Sequence, residues 1–157
     1  MFSDELRRDV DELIGLYPDP RSALIPMLHR IQRDEGWVSP QSMEWAAERL
    51  NLSPAAVEGV VSFYSMFYTR PMGRRVIQVC RTLSCELRGS KEILEALRQK
   101  LGIGPGETSE DGAWSIVEVE CLGACGTAPA MMIGENLHEN LTPEKLDEIL
   151  SREGADA

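Results

Sequence analysis

The sequence predicts a mixed fold of the α+β / α/β class. An N-terminal helical bundle is expected over residues 1–72 and an open-sheet domain over residues 73–157. Three observations point there. Apolar residues recur at helical spacing up to about residue 70. From residue 75 onward, short β-rich runs and amphipathic stretches follow in the order β-α-β-β-β-α. The charge changes at the same place: residues 1–75 carry 11 acids and 9 bases, residues 76–157 carry 15 acids and 7 bases.

In the first half, Leu6, Val10, Leu13, Ile14 and Tyr17 form one helical stripe. Ser3 is its expected N-cap, with Asp4 and Glu5 in the first turn. Pro18-Asp19-Pro20 breaks it. A second helix is expected from about Pro20 to Gly36, with Leu24, Ile25, Leu28 and Ile31 on one face. Pro26 should kink that helix or delay its start. Ser39-Pro40 and Ser53-Pro54 each place a capping hydroxyl before an N1 proline, opening helices at 40–50 and 54–67. The last buries Val57, Val60, Val61 and Tyr64. Its apolar run at 63–68 is denser than one buried face needs, which points to burial on two sides or to docking on a partner.

In the second half, Arg75–Cys80 reads as a strand and Ser90–Leu101 as an amphipathic helix ended by Gly102. The glycine-rich stretch 102–112 is a loop, and 114–121 is a second strand ending at Cys121. Runs at 129–133 and 137–139 flank Gly134-Glu135-Asn136 as a hairpin. Thr142-Pro143 opens a final helix carrying Leu146, Ile149 and Leu150, and the tail after Arg152 is expected to be disordered.

The 157 residues carry a formal net charge of −10. That balance argues against a sequence-independent grip on nucleic acid and against an anionic membrane surface. No apolar run approaches the ~18 to 20 residues needed to span a bilayer, so direct membrane insertion is not expected. The N-terminus lacks the basic and apolar regions of a secretory signal, and its early acids speak against a transit peptide. A soluble intracellular chain is the expectation.

Four cysteines need an explanation: Cys80, Cys85, Cys121 and Cys125. Cys80 ends the first strand, Cys121 the second, and a helix lies between. Such β-α-β units join parallel strands, whose carboxyl ends share one sheet edge. Loops 81–89 and 122–128 should therefore emerge side by side and bring four sulfurs together. Three chemistries could use them. A [2Fe–2S] cluster takes two thiolates per iron, which suits two separated pairs on neighbouring loops. Structural zinc takes four thiolates tetrahedrally. Disulfides are the third, although the C-x-x-C of an exchange centre is absent. The small residues of Cys121-Leu122-Gly123-Ala124-Cys125-Gly126 favour the cluster, because glycine lets backbone N–H groups approach sulfur. An ordinary tight turn would use the same residues.

Four stretches resemble a known family. VCRTLSC followed by LRG, and ECLGACGTAP followed by MMIG, resemble the thioredoxin-like [2Fe–2S] subunit of the NADH dehydrogenase module of respiratory complex I. GWVSPQSMEWAAERLNLSPAAVEGVVSFYSMF resembles that subunit's helical N-terminal region, and LTPEKLDEIL its closing helix. The resemblance covers about residues 20–152. A similar module occurs in NAD-linked hydrogenases and formate dehydrogenases. The resemblance implies a thioredoxin-like C-terminal domain carrying one [2Fe–2S] cluster. Cys80 and Cys85 would hold one iron, and Cys121 and Cys125 the other. It implies docking on the larger flavin- and NADH-binding subunit, which would carry FMN and NADH, and contact with other peripheral-arm subunits. The chain would then be a non-catalytic redox subunit of NADH:quinone oxidoreductase. It would be cytoplasmic and peripheral to the inner membrane through the complex.

The implied chemistry is one-electron transfer, taking the cluster from a formal 2− to 3− charge. Glu86, Glu118 and Glu120 near the cysteines should disfavour that step and lower the potential, while Arg81 and Arg88 oppose them. No residue reads as catalytic. His29 and His138 read as surface or boundary residues. Trp37, Trp45 and Trp114 read as core or interface anchors, and Met131-Met132 as strand packing. A different class stays in view: helices 40–50 and 54–67 have helix-turn-helix spacing, and with a zinc site the chain would be a regulator. The second of those helices carries Glu58 and no base before Arg70, which leaves phosphates without partners.

Overall fold

A computed structural model describes residues 2–155. The chain divides into two compact units, Met1–Pro71 and Met72–Ala157.

The first unit is built from helices α1 (Asp4–Gly15), α2 (Leu24–Glu35), α3 (Pro40–Leu50) and α4 (Pro54–Phe63). The Ser3, Ser39 and Ser53 hydroxyls each accept an N–H from the first turn of the helix that follows. These caps satisfy amide donors that have no partner inside the helix. Pro20 does not begin α2 as the sequence suggested. A 3-10 turn, Pro20–Ala23, comes first, and Pro26 then falls in the first turn of α2, where a missing N–H costs nothing. Leu6, Val10 and Leu13 of α1 pack with Met27, Leu28 and Ile31 of α2, Ala46 and Leu50 of α3, and Val57 and Val61 of α4.

Helix α4 stops at Phe63, four residues short of the expected end, and Tyr64 is extended. The reason lies 34 residues away. The Gln32 side chain donates to Met66 O (2.8 Å) and accepts from Tyr68 N–H (2.7 Å), while Val38 N–H donates to Tyr68 O (2.7 Å). This clamp folds the 64–68 segment back so that Phe67 enters the core, and Phe63 is left 80% exposed. The dense apolar run is therefore split between core and surface.

The second unit is a four-stranded sheet, β1 (Arg75–Cys80), β2 (Trp114–Val119), β3 (Met131–Ile133) and β4 (Asn136–His138), in the order β2-β1-β3-β4. Strands β1 and β2 are parallel, and β3 runs antiparallel to β1 and to β4. Helix α5 (Leu83–Leu87) follows β1, α6 (Ser90–Leu101) crosses to β2, and α7 (Lys145–Ala155) closes the chain. Ile77, Ile116, Met131 and Ile133 of the sheet meet Ile93 and Leu97 of α6 and Leu146 and Ile149 of α7 in one core. The loop 102–112 is anchored along the outer edge of β2: Gly106 N–H donates to Ile116 O (2.7 Å) and Ile116 N–H to Glu107 O (3.2 Å). Among the described residues, no helix is long and apolar enough to cross a membrane.

Two expectations fail at the end of the chain. The hairpin turn is Gly134-Glu135, so β4 begins at Asn136, and Ile133 pairs with Asn136. A one-residue slip in a strand exchanges its faces. Leu137 is therefore 44% exposed, and His138 is buried rather than at the surface. The tail is also not disordered to Ala155: α7 continues past Arg152, and Glu153 is only 8% exposed. Asp156 and Ala157 lie outside the described residues. The Glu153 carboxylate accepts from Asn136 Nδ2 at 3.1 and 3.2 Å and so ties α7 to β4. Its Oε1 lies 3.3 Å from His138 Nε2, outside hydrogen-bond geometry.

Burial pushes the His138 pKa down, against the pull of the Glu153 carboxylate, and Arg152 adds to the lowering. The folded value thus lies below the unfolded one, so protonation favours the unfolded chain. Stability from the neutral ring is complete above about pH 6.5 and is lost as pH falls through the lower folded value. In urea titrations between about pH 7.5 and pH 5, the His138→Gln variant should lose stability less steeply than the wild type. Parallel pH profiles for the two proteins would rule this coupling out.

Candidate functional site

The sulfurs gather at the carboxyl edge of β1 and β2. Cys80 is the last residue of β1, and its N–H donates to Ala130 O (3.1 Å). Beyond it the chain turns into α5, a five-residue helix in the stretch expected to be plain loop, and α5 carries Cys85. Strand β2 ends at Val119, opposite Cys80 in register, and not at Cys121. Once β1 turns away, the ladder has no partner for further residues. Cys121 therefore stands two positions past the strand, on the loop that returns toward Cys80.

Gly123 shapes that loop. Its φ of +82° is a conformation that favours glycine, and its N–H donates to Cys121 Sγ at 3.3 Å. Cys121 Sγ and Cys125 Sγ are 3.4 Å apart. A 3-10 turn, Cys125–Thr127, leads into the cis Ala128–Pro129 bond. Cys80 and Cys85 are each 2% exposed and pack with Ala128 and Ala130, while Cys121 and Cys125 are exposed. One pair thus faces inward and the other outward.

The four thiols influence one another. Burial opposes ionisation of Cys80, but hydrogen bonds from the Thr82 side chain and N–H, the Leu122 N–H and Cys85 together hold its pKa below the ordinary thiol value. Burial and the Cys80 neighbour push Cys85 up. The Gly123 N–H, then Cys125 and Thr82, hold Cys121 down, and Cys121 in turn raises Cys125. Each pair so contains one thiol favoured as thiolate and one disfavoured.

These residues fit a two-iron cluster by the chemistry of the donor set. They supply four thiols in two pairs, N–H donors directed at sulfur, and alanine and glycine walls that leave room for sulfide.

The charges expected around the site are largely paired. Arg81 Nη2 lies 2.6 Å from Glu120 Oε1, and Lys91 pairs with Glu86. Arg88 and Glu118 are exposed. His29 is an exposed residue whose ring lies 5.0 Å from Phe67, Trp45 stacks on Phe2 at 4.3 Å, and Arg75 lies 5.6 Å over Trp114. Two hydroxyls escaped the sequence reading. Thr82 Oγ1 is 3.2 Å from Cys80 Sγ, and the Thr82 and Ser84 hydroxyls also help to hold down the pKa values of Cys121 and Cys125. Their position inside the C-x4-C loop was the available signal.

Comparison with known proteins adds to this geometry. The thioredoxin-like [2Fe–2S] ferredoxin family matches residues 10–153. NADH-quinone oxidoreductase subunit 2 of Thermus thermophilus is 40% identical over 153 residues, 96% of this chain and 84% of that protein. An NADH-quinone oxidoreductase subunit of Aquifex aeolicus is 40% identical over 151 residues, 96% of this chain and 94% of that protein. The corresponding subunit of Mycobacterium tuberculosis is 38% identical over 145 residues, 92% of this chain and 58% of that protein. In fold, the chain is similar to an NAD+-reducing [NiFe]-hydrogenase in the air-oxidized state, with a TM-score of 0.74 at 21% identity. That match covers 85% of this chain and only 23% of the hydrogenase chain.

Proposed function

This chain belongs to the thioredoxin-like [2Fe–2S] ferredoxin family, and we propose on that premise that it is the electron-transfer subunit of an NADH:quinone oxidoreductase. Cys80, Cys85, Cys121 and Cys125 are the proposed ligands of one [2Fe–2S] cluster, with Cys80 and Cys85 on one iron and Cys121 and Cys125 on the other. The observation that carries this reading is the gathering of two thiol pairs at one sheet edge. It occurs in a chain 40% identical, over almost its whole length, to NADH-quinone oxidoreductase subunits.

The cluster supplies a site for one electron at a time. What the chain's own residues do is hold and bias that site. The N–H groups of Leu122, Gly123 and Ala130 approach the sulfurs of Cys80, Cys121 and Cys85, and such contacts offset negative charge on sulfur. The pairs Arg81–Glu120 and Lys91–Glu86 offset the acids expected to lower the potential. The chain itself is non-catalytic in this reading. FMN and NADH would be held by a partner subunit and would supply the electrons, which this chain would accept or return one at a time. That flavin- and NADH-binding subunit and its neighbours in the peripheral arm are the proposed partners, on the cytoplasmic side of the membrane.

A second reading, the equivalent subunit of an NAD-linked hydrogenase, draws on the hydrogenase fold match. That likeness is one of fold alone, and the 40% identical relatives favour the first. Iron and acid-labile sulfide analysis of the anaerobically purified chain tests the assignment, read with EPR after dithionite reduction. About two irons and two sulfides per chain with a [2Fe–2S] signal are expected. One zinc and no sulfide would overturn it.

A further inference from the structure

We infer that Thr82 is a positioning residue for the cluster: its hydroxyl donates a hydrogen bond to the Cys80 sulfur and raises the reduction potential. This rests on the ligand assignment proposed above.

Two independent observations carry it. Thr82 Oγ1 lies 3.2 Å from Cys80 Sγ, the buried sulfur that ends β1. Thr82 is also the N-cap residue of α5, with the extended backbone of such a position (φ −78°, ψ 167°), yet its side chain makes no hydrogen bond to the helix. Ser3, Ser39 and Ser53, in the same local setting, all turn their hydroxyls onto the helix they precede. Thr82 alone among these four turns its hydroxyl to sulfur. The side chain is half-buried, which keeps bulk water from replacing the contact freely.

The direction of the effect follows from donor chemistry. A thiolate bound to iron can only accept, so the hydroxyl must donate. Reduction adds one electron and one unit of negative charge to the iron–sulfur unit. A hydrogen bond to sulfur is stronger in that more negative state. The reduced form gains more than the oxidised form, and the potential rises.

The test is an EPR-monitored redox titration of the full-length chain loaded with iron and sulfide, as wild type, Thr82→Val, Thr82→Ala and Thr82→Ser. Valine keeps the shape and removes the donor. Serine keeps the donor and removes the methyl group. The valine and alanine variants should show a more negative midpoint, roughly tenfold in the reduction equilibrium, or about 59 mV for a one-electron couple. The serine variant should stay at the wild-type midpoint. Equal midpoints in all four would overturn the inference. So would a serine variant shifted as far as the valine variant, which would assign the effect to packing. If the valine and alanine variants hold no cluster while the serine variant does, the hydroxyl is structural and the inference fails. A wild-type chain that holds no cluster overturns the ligand assignment instead, and this inference with it.

Discussion

Replacing Cys85 by alanine should abolish the [2Fe–2S] EPR signal and remove iron and sulfide together. In a two-iron rhombus each iron depends on two thiolates. Loss of a residue that merely orients a ligand already costs about 10–100-fold in metal affinity, so loss of a ligand should exceed that. The surroundings of the two pairs make the outcome differ between them. Cys85 is 2% exposed and lies with Ala128 and Ala130, which have no polar side-chain atom to offer in its place. Cys121 and Cys125 are exposed, so an oxygen ligand can reach iron there. Cys121→Ser and Cys125→Ser should therefore retain part of the cluster with an altered EPR signal, whereas Cys85→Ala retains none. Far-UV circular dichroism should stay close to wild type for Cys85→Ala, because a small apolar residue replaces a buried thiol. A Cys85→Ala chain with full iron and sulfide would remove Cys85 from the ligand set.

What could be read in the sequence follows the range of the forces involved. The caps at Ser39-Pro40 and Ser53-Pro54 act within one turn, and both helices begin where those residues say. The parallel pairing of β1 and β2 follows from the handed crossover and was legible from element order. So was the side-by-side emergence of the loops at 81–89 and 122–128 from one sheet edge. The failures are contacts between distant residues, or elements too short to show a period. The end of α4 is set by Gln32, 34 residues from its partner Met66, and no local pattern reports that clamp. Helix α5 has five residues, less than two turns, so hydrophobic spacing cannot reveal it. The burial of His138 turned on a single residue of hairpin length. Thr82 shows the same limit at the site. Its type and place suggest a helix cap, and only the position of Cys80 shows where its hydroxyl goes.

Truncating Ile77 should bring the largest loss of stability in the second unit and should separate the role of the sheet in folding from its role at the site. Ile77 sits at the middle of the central strand, opposite Ile116 on β2 and Ile133 on β3, and all three are buried. The Ile77→Ala variant opens a cavity in this row and should cost about 2–5 kcal/mol, whereas Ile77→Val should cost about 0.5–1.5 kcal/mol. Against a total of about 5–15 kcal/mol for a typical domain, the alanine change is a large fraction. Urea unfolding of the cluster-free chain, followed by tryptophan fluorescence, measures it; a cost under about 1 kcal/mol would show that the row is not the centre of the core. The same strands set the spacing between Cys80 and the loop that carries Cys121. A bound cluster adds stability only through its affinity for the folded form. If Ile77 supports folding alone, the loaded and cluster-free chains should lose the same free energy on truncation. If it also holds β1 and β2 at the separation the two thiol pairs need, the loaded chain should lose more, and iron should dissociate from Ile77→Ala at lower urea than from wild type.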